Sequence, residues 1–175
     1  MTALPIVIYP NPVLAEKCKP VEVFDSQLAQ LAQDMAESMY AASGVGLAAP
    51  QIGKLIRLVT IDVSEEKNDL LVLVNPEIIA RNDEIVEHEE GCLSLPGVWD
   101  KVKRPSEVVV RAQALDGTPF EKHCTGLLAV CVQHELDHLE GVVFIDHLSR
   151  LKRERDKAKL RKLKLAARKE EKKKA

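Results

Sequence analysis

The spacing of apolar and polar residues predicts an amphipathic helix early in the chain. Four apolar residues recur there at intervals of three and four: Leu28, Leu31, Met35 and Met39. This period is typical of a helix that buries one face. Asp25 or Ser26 can cap the first turn of this helix, and Gly44 can end it in a left-handed conformation.

Shorter apolar segments farther along the chain predict strands. They cover residues 55–62, 70–74, 84–90, 108–115 and 120–124. Asp116-Gly117 separates the last two segments and is a strong hairpin signal. A second helix is expected over 126–139, and it is too apolar for a position on the surface. We therefore expect an α+β fold, with mostly antiparallel sheets around a central buried helix.

Charge divides the chain into two parts. The net charge of the whole chain is −2, but residues 150–175 carry 14 Lys and Arg against 4 Asp and Glu. The tail therefore has a net charge of +10, and residues 1–149 have one of −12. We expect a globular domain over 1–149 and a basic helical tail over 150–175. This tail is either a solvated helix or a surface that binds the phosphates of RNA.

Composition excludes several classes of protein. Aromatic residues make up only 3% of the chain, so stacking platforms for single-stranded nucleic acid are not expected. No apolar run is long enough to span a membrane, and the first residues resemble neither a secretory signal nor a transit peptide. We expect a cytoplasmic protein without membrane partners. In that compartment the cysteines are free thiols or metal ligands.

The buried helix carries the strongest chemical signal, the motif His134-Glu135-Leu136-Asp137-His138. Residues four apart share one face of a helix, so His134 and His138 can bind the same cation. Glu135 lies beside that face and can act on a water molecule. Two imidazoles and a carboxylate on an apolar helix would be costly to bury without such a role.

A third metal ligand is needed, and several alternatives fail. Metzincin proteases continue the motif with a histidine, whereas this chain has Phe144 at that position. Glu154 lies in the basic tail and not on a second buried helix. Cys131 is seven residues from His138, about 10 Å along a helix, which is too far for one coordination sphere.

Cys92 is the remaining candidate for the third ligand. It lies in the segment Glu-Gly-Cys-Leu-Ser-Leu-Pro over 90–96, which predicts an irregular turn. Such a turn can present a thiolate and leave the next backbone N–H free. Together with His134 and His138, Cys92 makes a set of three protein ligands that leaves one coordination position open for water.

Three segments together resemble the signature motifs of bacterial peptide deformylases. They are Gly-Val-Gly-Leu-Ala-Ala-Pro-Gln-Ile-Gly over 44–53, the segment 90–96, and His-Glu-Leu-Asp-His-Leu-Glu-Gly over 134–141. Their order and separations are similar to those of the family, and the resemblance covers about residues 4–148. It implies a metal-dependent hydrolase that removes the formyl group from the formyl-methionine of nascent polypeptides and releases formate.

The resemblance also implies a role for each site residue. The residues that match the metal ligands are Cys92, His134 and His138. Glu135 matches the catalytic acid and base. Gln51 and the backbone N–H of Leu93 match the groups that stabilise the developing oxyanion. The resemblance implies Fe²⁺ as the metal in the cell, with Zn²⁺, Ni²⁺ or Co²⁺ as alternatives.

The first of the three segments matches the part of the family that binds the peptide. Its backbone at Gly44, Val45 and Gly46 can pair with an extended peptide. The residues that match the lining of the methionine pocket are Val45, Leu127, Val130, Cys131 and His134. Trp99 stands where some relatives have an arginine, so the preference for residues after methionine is open.

Partners follow from the same resemblance. Similar deformylases are thought to dock through a C-terminal helix near the exit of the nascent chain, which makes ribosomal RNA the expected partner of residues 150–175. The expected partners are therefore nascent formyl-methionyl polypeptides and the ribosome, and the expected state is a monomer.

Two other functions are weighed against this one. A zinc metalloprotease could use the same histidine motif, but Phe144 and the turn around Cys92 argue against it. A non-catalytic ribosome- or RNA-binding protein could hold a structural metal, but such sites are usually closed by four protein ligands. The sequence offers only three good ligands.

Overall fold

The computed structural model describes residues 3–175, which form an α+β fold. The helices are α1 (Ser26–Ala41), α2 (Gly126–Leu139) and α3 (Arg150–Lys174), and short 3-10 helices lie at Pro12–Ala15, Ala49–Ile52 and Phe144–His147. The strands are β1 (Gly46–Ala48), β2 (Leu58–Ile61), β3 (Leu71–Arg81), β4 (Ile85–Cys92), β5 (Leu95–Pro105), β6 (Glu107–Gln113) and β7 (Pro119–Thr125). The predicted fold class is confirmed, including the N-terminal helix and the C-terminal helix.

All strands pair in an antiparallel manner, and they make two sheets. The larger sheet has the order β1-β2-β3-β6-β7, and β4 pairs with β5 in a separate two-stranded sheet. The short strand β1 therefore has one free edge, and so has β4. These two free edges border the site described below.

Helix α2 is buried along most of its length, as its apolar sequence predicts. Its apolar residues pack on the large sheet through a cluster that includes Val59, Val110, Val132 and Leu139. The expected stop at Gly141 is confirmed, because this glycine has φ 76° directly after the last helical turn. A Cβ at Gly141 would lie 2.5 Å from the carbonyl oxygen of Ala15, so the close packing there also requires glycine.

Helix α1 begins as predicted and ends at Ala41, and the left-handed residue that follows it is Ser43, one position before Gly44. Asp25 caps it, and its Oδ1 accepts a hydrogen bond of 3.0 Å from the N–H of Leu28. Ser43 takes the left-handed conformation with φ 57°, while the N–H of Gly44 donates to the carbonyl of Met39 at 2.9 Å. The prediction that Gly44 ends the helix is therefore wrong, because this closing bond needs the left-handed residue one position earlier.

Helix α3 packs on the small sheet through its first half and through Leu163, which lies against Gly97. Leu160 is buried in a cluster with Leu95, Val98 and Phe144, and the side chain of Asp156 is buried nearby. Residues 161–175 are all exposed. The division into a globular domain over 1–149 and a basic tail over 150–175 stays a prediction. Leu160 packs on the globular part, so the first half of the basic helix is attached to it.

No helix within residues 3–175 combines the length and the apolar character that a bilayer span requires.

Candidate metal centre

Two elements bring the three predicted metal ligands together. Cys92 is the last residue of β4, and His134 and His138 lie one turn apart on α2. One donor atom from each of the three lies within 4.8 Å of the other two. The Sγ atom of Cys92 is 3.3 Å from Nε2 of His138. The grouping that the sequence predicted is therefore present in the fold.

The donor atoms of this cluster fit a transition metal. Nδ1 of His134 is hydrogen-bonded to Oε1 of Glu90 at 2.8 Å, which leaves its Nε2 for a metal. Nδ1 of His138 is buried and has no partner within residues 3–175. A soft thiolate with two imidazoles suits Zn²⁺ or Fe²⁺ better than Mg²⁺ or Ca²⁺.

The surroundings shift the pKa values of the two histidines in opposite directions. Burial lowers the pKa of both rings, but the hydrogen bonds of His134 to Cys92 and Glu90 outweigh burial and raise its pKa well above the ordinary value. Among the described residues His138 has no carboxylate partner, so burial and the neighbouring His134 hold its pKa well below the ordinary value. His138 is therefore a neutral imidazole, the form that binds metals.

Glu135 presents an unpartnered carboxylate beside the cluster. Its side chain is buried, and no group in the described part of the chain hydrogen-bonds its Oε2. Burial raises the pKa of Glu135 to about 7, so it can hold or release a proton near neutrality. A Cβ on Gly46 would lie 2.5 Å from Oε1 of Glu135, so β1 approaches this carboxylate closely only because residue 46 is glycine.

Gln51 is held by hydrogen bonds at both ends of its amide. Its Oε1 accepts from the N–H of Ala48 at 2.9 Å, which fixes the orientation of the side chain. Its Nε2 donates to Oγ of Ser94 at 3.1 Å and lies 3.5 Å from Sγ of Cys92. Leu93 lies in the two-residue turn between β4 and β5, outside both strands, so its N–H takes no part in their ladder.

A cavity of about 470 Å³ opens beside this cluster, between β1 and β4. All the residues predicted to bind substrate line it: Gly44, Val45, Gly46, Leu127, Val130 and Cys131. Cys131 belongs to its wall and not to the metal cluster, as the spacing along the helix predicts. Burial raises the pKa of the Cys131 thiol to about 12, so this cysteine stays protonated at neutral pH.

A network of charged side chains holds the ring of His134 through its Nδ1. Glu90 accepts two hydrogen bonds from Arg104, at 2.6 and 2.9 Å, besides the contact with His134. Arg104 also donates to Asp137 at 2.9 Å, and Asp137 lies 2.8 Å from Nε2 of His147. The site residues predicted from the sequence include neither Arg104 nor His147. No local pattern indicated these contacts, because they join β5, α2 and the 3-10 helix at Phe144–His147, which are separate elements.

Comparisons with known proteins agree with this geometry. A model of the family described as polypeptide deformylase matches residues 3–154. The chain is 53% identical over 162 residues to a peptide deformylase of Chromobacterium violaceum, covering 93% of this chain and 96% of the relative. It is 48% identical over 162 residues to that of Pseudomonas aeruginosa, with the same coverage.

Solved structures give the same result. A peptide deformylase from Legionella pneumophila superposes with a TM-score of 0.91 at 48% identity, covering 95% of this chain and 99% of that one. A peptide deformylase from Ehrlichia chaffeensis, solved in complex with actinonin, has a TM-score of 0.88 at 37% identity and covers 93% and 98%. The chain therefore belongs to the peptide deformylase family of metal-dependent hydrolases, which remove the N-formyl group from nascent polypeptides.

Proposed function

We propose that Cys92, His134 and His138 hold one divalent metal and that Glu135 is the acid and base of deformylation. The observation that carries this assignment is the convergence of the three donor atoms next to the unpartnered Oε2 of Glu135. The buried hydrogen bond between Glu90 and His134 supports it, because it orients the ring towards the cluster.

The reaction needs two proton transfers, one to Glu135 and one from it. When bound, the metal supplies a Lewis acid that activates water and polarises the formyl oxygen. Glu135 takes a proton from the water that adds to the formyl carbon. It then gives this proton to the amine nitrogen as the carbon–nitrogen bond breaks, so formate and a free amino terminus are released.

Gln51 and Leu93 are placed in our proposal as donors to the developing oxyanion. The amide of Gln51 supports this role, because its Oε1 is fixed by the N–H of Ala48 and its Nε2 lies beside the sulfur of Cys92. Loss of one such donor typically lowers kcat by about 10²- to 10³-fold.

The peptide is proposed to lie between the free edges of β1 and β4. Backbone pairing with Gly44, Val45 and Gly46 would hold it without regard to sequence, which suits an enzyme that processes many chains. The methionine side chain would enter the apolar wall made by Leu127, Val130 and Cys131.

The test is anaerobic deformylation of formyl-Met-Ala-Ser by the protein loaded with Fe²⁺. We expect formate and Met-Ala-Ser in equal amounts, and no cleavage of the unformylated peptide. Cleavage of an internal peptide bond would instead indicate a protease. Absence of turnover in a fully loaded, folded protein would refute the proposed roles.

Fe²⁺ is our proposal for the metal in the cell, supported by the resemblance and by the thiolate of Cys92. The protein loaded with Fe²⁺ should lose activity in air, because oxygen can attack both the thiolate and the iron. The same protein loaded with Ni²⁺ should last longer. Equal lifetimes of the two forms would contradict oxidation at the iron site as the cause of the loss. Metal analysis of the protein as purified would show whether Zn²⁺ or Co²⁺ is bound instead of Fe²⁺.

We also propose that the catalytic unit is residues 1–149 and that the basic helix binds ribosomal RNA. Support comes from residues 161–175, which are exposed and include Lys162, Lys164, Arg168 and Lys169. Because Leu160 is buried, the test should change charges and not delete the helix. Replacing these four cations by glutamine should weaken co-sedimentation with ribosomes and flatten its salt dependence, while turnover of formyl-Met-Ala-Ser stays within a few-fold. Unchanged binding would make this part a solvated helix.

A further inference from the structure

Trp99 is a large aromatic side chain that the proposed reaction does not use. It is 64% exposed, and it lies at the rim of the cavity between β1 and β4. It stands directly opposite Gly91 across the β4–β5 pair, and a Cβ on Gly91 would lie 2.4 Å from its ring. The indole therefore lies against the backbone of β4, with much of its surface open to solvent.

A carboxylate borders the same rim. Glu89 lines the cavity together with Trp99, is exposed, and has no ion pair within residues 3–175. Lys101 stands directly opposite Glu89, but its ammonium lies 3.9 Å from the carboxylate of Glu87. Glu89 is therefore free to attract a cation from the substrate.

We propose that Trp99 and Glu89 form a subsite for a long basic side chain, lysine or arginine, at the residue that directly follows formyl-methionine. This inference rests on the peptide path proposed above. Side chains of an extended peptide alternate between its two faces. With methionine directed inwards to Val130 and Cys131, the next side chain is directed outwards, on the side where Trp99 is exposed.

The chemistry of the two residues suits a lysine or arginine better than other side chains. The methylene stem of such a residue can cover the indole while its charge reaches solvent and the carboxylate of Glu89. A cation near an exposed indole and an exposed ion pair are each weak. Together they correspond to a preference of about three- to tenfold in kcat/KM over alanine. An acidic residue would be disfavoured.

The experiment measures kcat and KM for formyl-Met-Xaa-Ser with Xaa as Lys, Arg, Leu, Ala or Glu. The wild type should prefer Lys and Arg through a lower KM. Trp99→Ala should lose the preference for Lys and Arg and any gain of Leu over Ala, whereas Glu89→Gln should lose only the preference for Lys and Arg. Glu65→Gln is the control, because Glu65 is an exposed carboxylate outside the cavity with no ion pair among the described residues, and its preferences should equal those of the wild type.

A second measurement does not depend on turnover. Trp99 is the single tryptophan of the chain, so intrinsic fluorescence reports on this subsite directly. Titration with the product peptides Met-Lys-Ser and Met-Ala-Ser should give tighter binding and a larger change for Met-Lys-Ser.

Three outcomes of the measurements on formyl-Met-Xaa-Ser and on the product peptides would overturn the inference. They are equal kcat/KM for Lys, Ala and Glu; a preference for Leu that exceeds Lys and survives Glu89→Gln; and identical fluorescence titrations for the two products. A basic preference that appears only in formyl-Met-Ala-Xaa peptides would also overturn it, because it would place the cation one residue farther along. Failure of the proposed function is distinguishable, since it would abolish turnover of every peptide in the wild type.

Discussion

Replacement of Arg104 by methionine should destabilise the protein strongly, because it leaves a buried carboxylate without its main partner. The side chains of Arg104 and Glu90 are only 6% and 4% exposed, and two hydrogen bonds join them. Methionine fills a similar volume but carries no charge. Glu90 would retain only His134, and Asp137 would retain only His147.

The size of the effect follows from burial. Removal of one partner from a buried ion pair typically costs about 3–5 kcal/mol, most of it from the charge that stays behind. With a slope of about 2 kcal/mol per molar urea, the unfolding midpoint should fall by about 1.5–2.5 M. The measurement is urea unfolding at pH 7 of the metal-loaded protein, followed by circular dichroism.

The same pair predicts how stability depends on pH. Burial alone would raise the pKa of Glu90, but the hydrogen bonds from His134 and Arg104 lower it from 4.5 to about 2. A carboxyl whose pKa falls on folding stabilises the fold at pH values above its unfolded pKa. In the wild type this contribution should disappear as the pH falls from about 4.5 to 2, and in Arg104→Met that part of the curve should flatten.

Arg111→Met is the matched control. Arg111 pairs with Glu121 across β6 and β7 at 3.1 Å, but both side chains are more than half exposed. Such a pair contributes about 1 kcal/mol or less, so its loss should barely move the midpoint. If the two variants had midpoints within about 0.5 M of each other, the buried pair would stabilise the fold no more than the exposed one.

Three further predictions concern the site and α3. Glu135→Ala should keep the metal and lose at least about 100-fold in kcat; an empty site in the folded variant, by metal analysis, would make Glu135 a ligand. Cys92→Ser should lower metal affinity and change metal preference, whereas Cys131→Ser should do neither. If a chelator removed the metal equally well from both variants, the assignment of Cys92 as the sulfur ligand would be wrong. Leu160→Ala should cost about 2 kcal/mol or more because its side chain is buried. Leu163→Ala, at a more exposed position, should cost less, and similar melting temperatures for the two variants would contradict the packing of α3.

The chemistry of the site could be predicted because it depends on local spacing. His134 and His138 are four residues apart, so any helix places both rings on one face. Glu135 follows from the same spacing, and the apolar residues around this motif predict that the helix is buried. The hairpin at Asp116-Gly117 and the cap at Asp25 are likewise decided by a few adjacent residues.

Two strands could not be found from their own sequences. The inward positions of β5 include Arg104. This charged residue can be buried because Glu90 on β4 accepts its hydrogen bonds. This charge hides the alternation that would mark a strand. The strand β1 consists of Gly46, Leu47 and Ala48, which have little strand preference, and it exists because β2 pairs with it.

The tertiary structure alone decided how distant parts of the chain complete the site. Cys92 lies 42 residues before His134, and no local pattern measures that separation in space; pairing of β4 with β5 and packing on α2 bring the sulfur to the rings. The chain of contacts from His134 through Glu90 and Arg104 has the same origin. The sequence by itself determined which residues could bind a metal, since side-chain chemistry and helical spacing are local. Long-range packing decided which of them meet and which contacts hold them there.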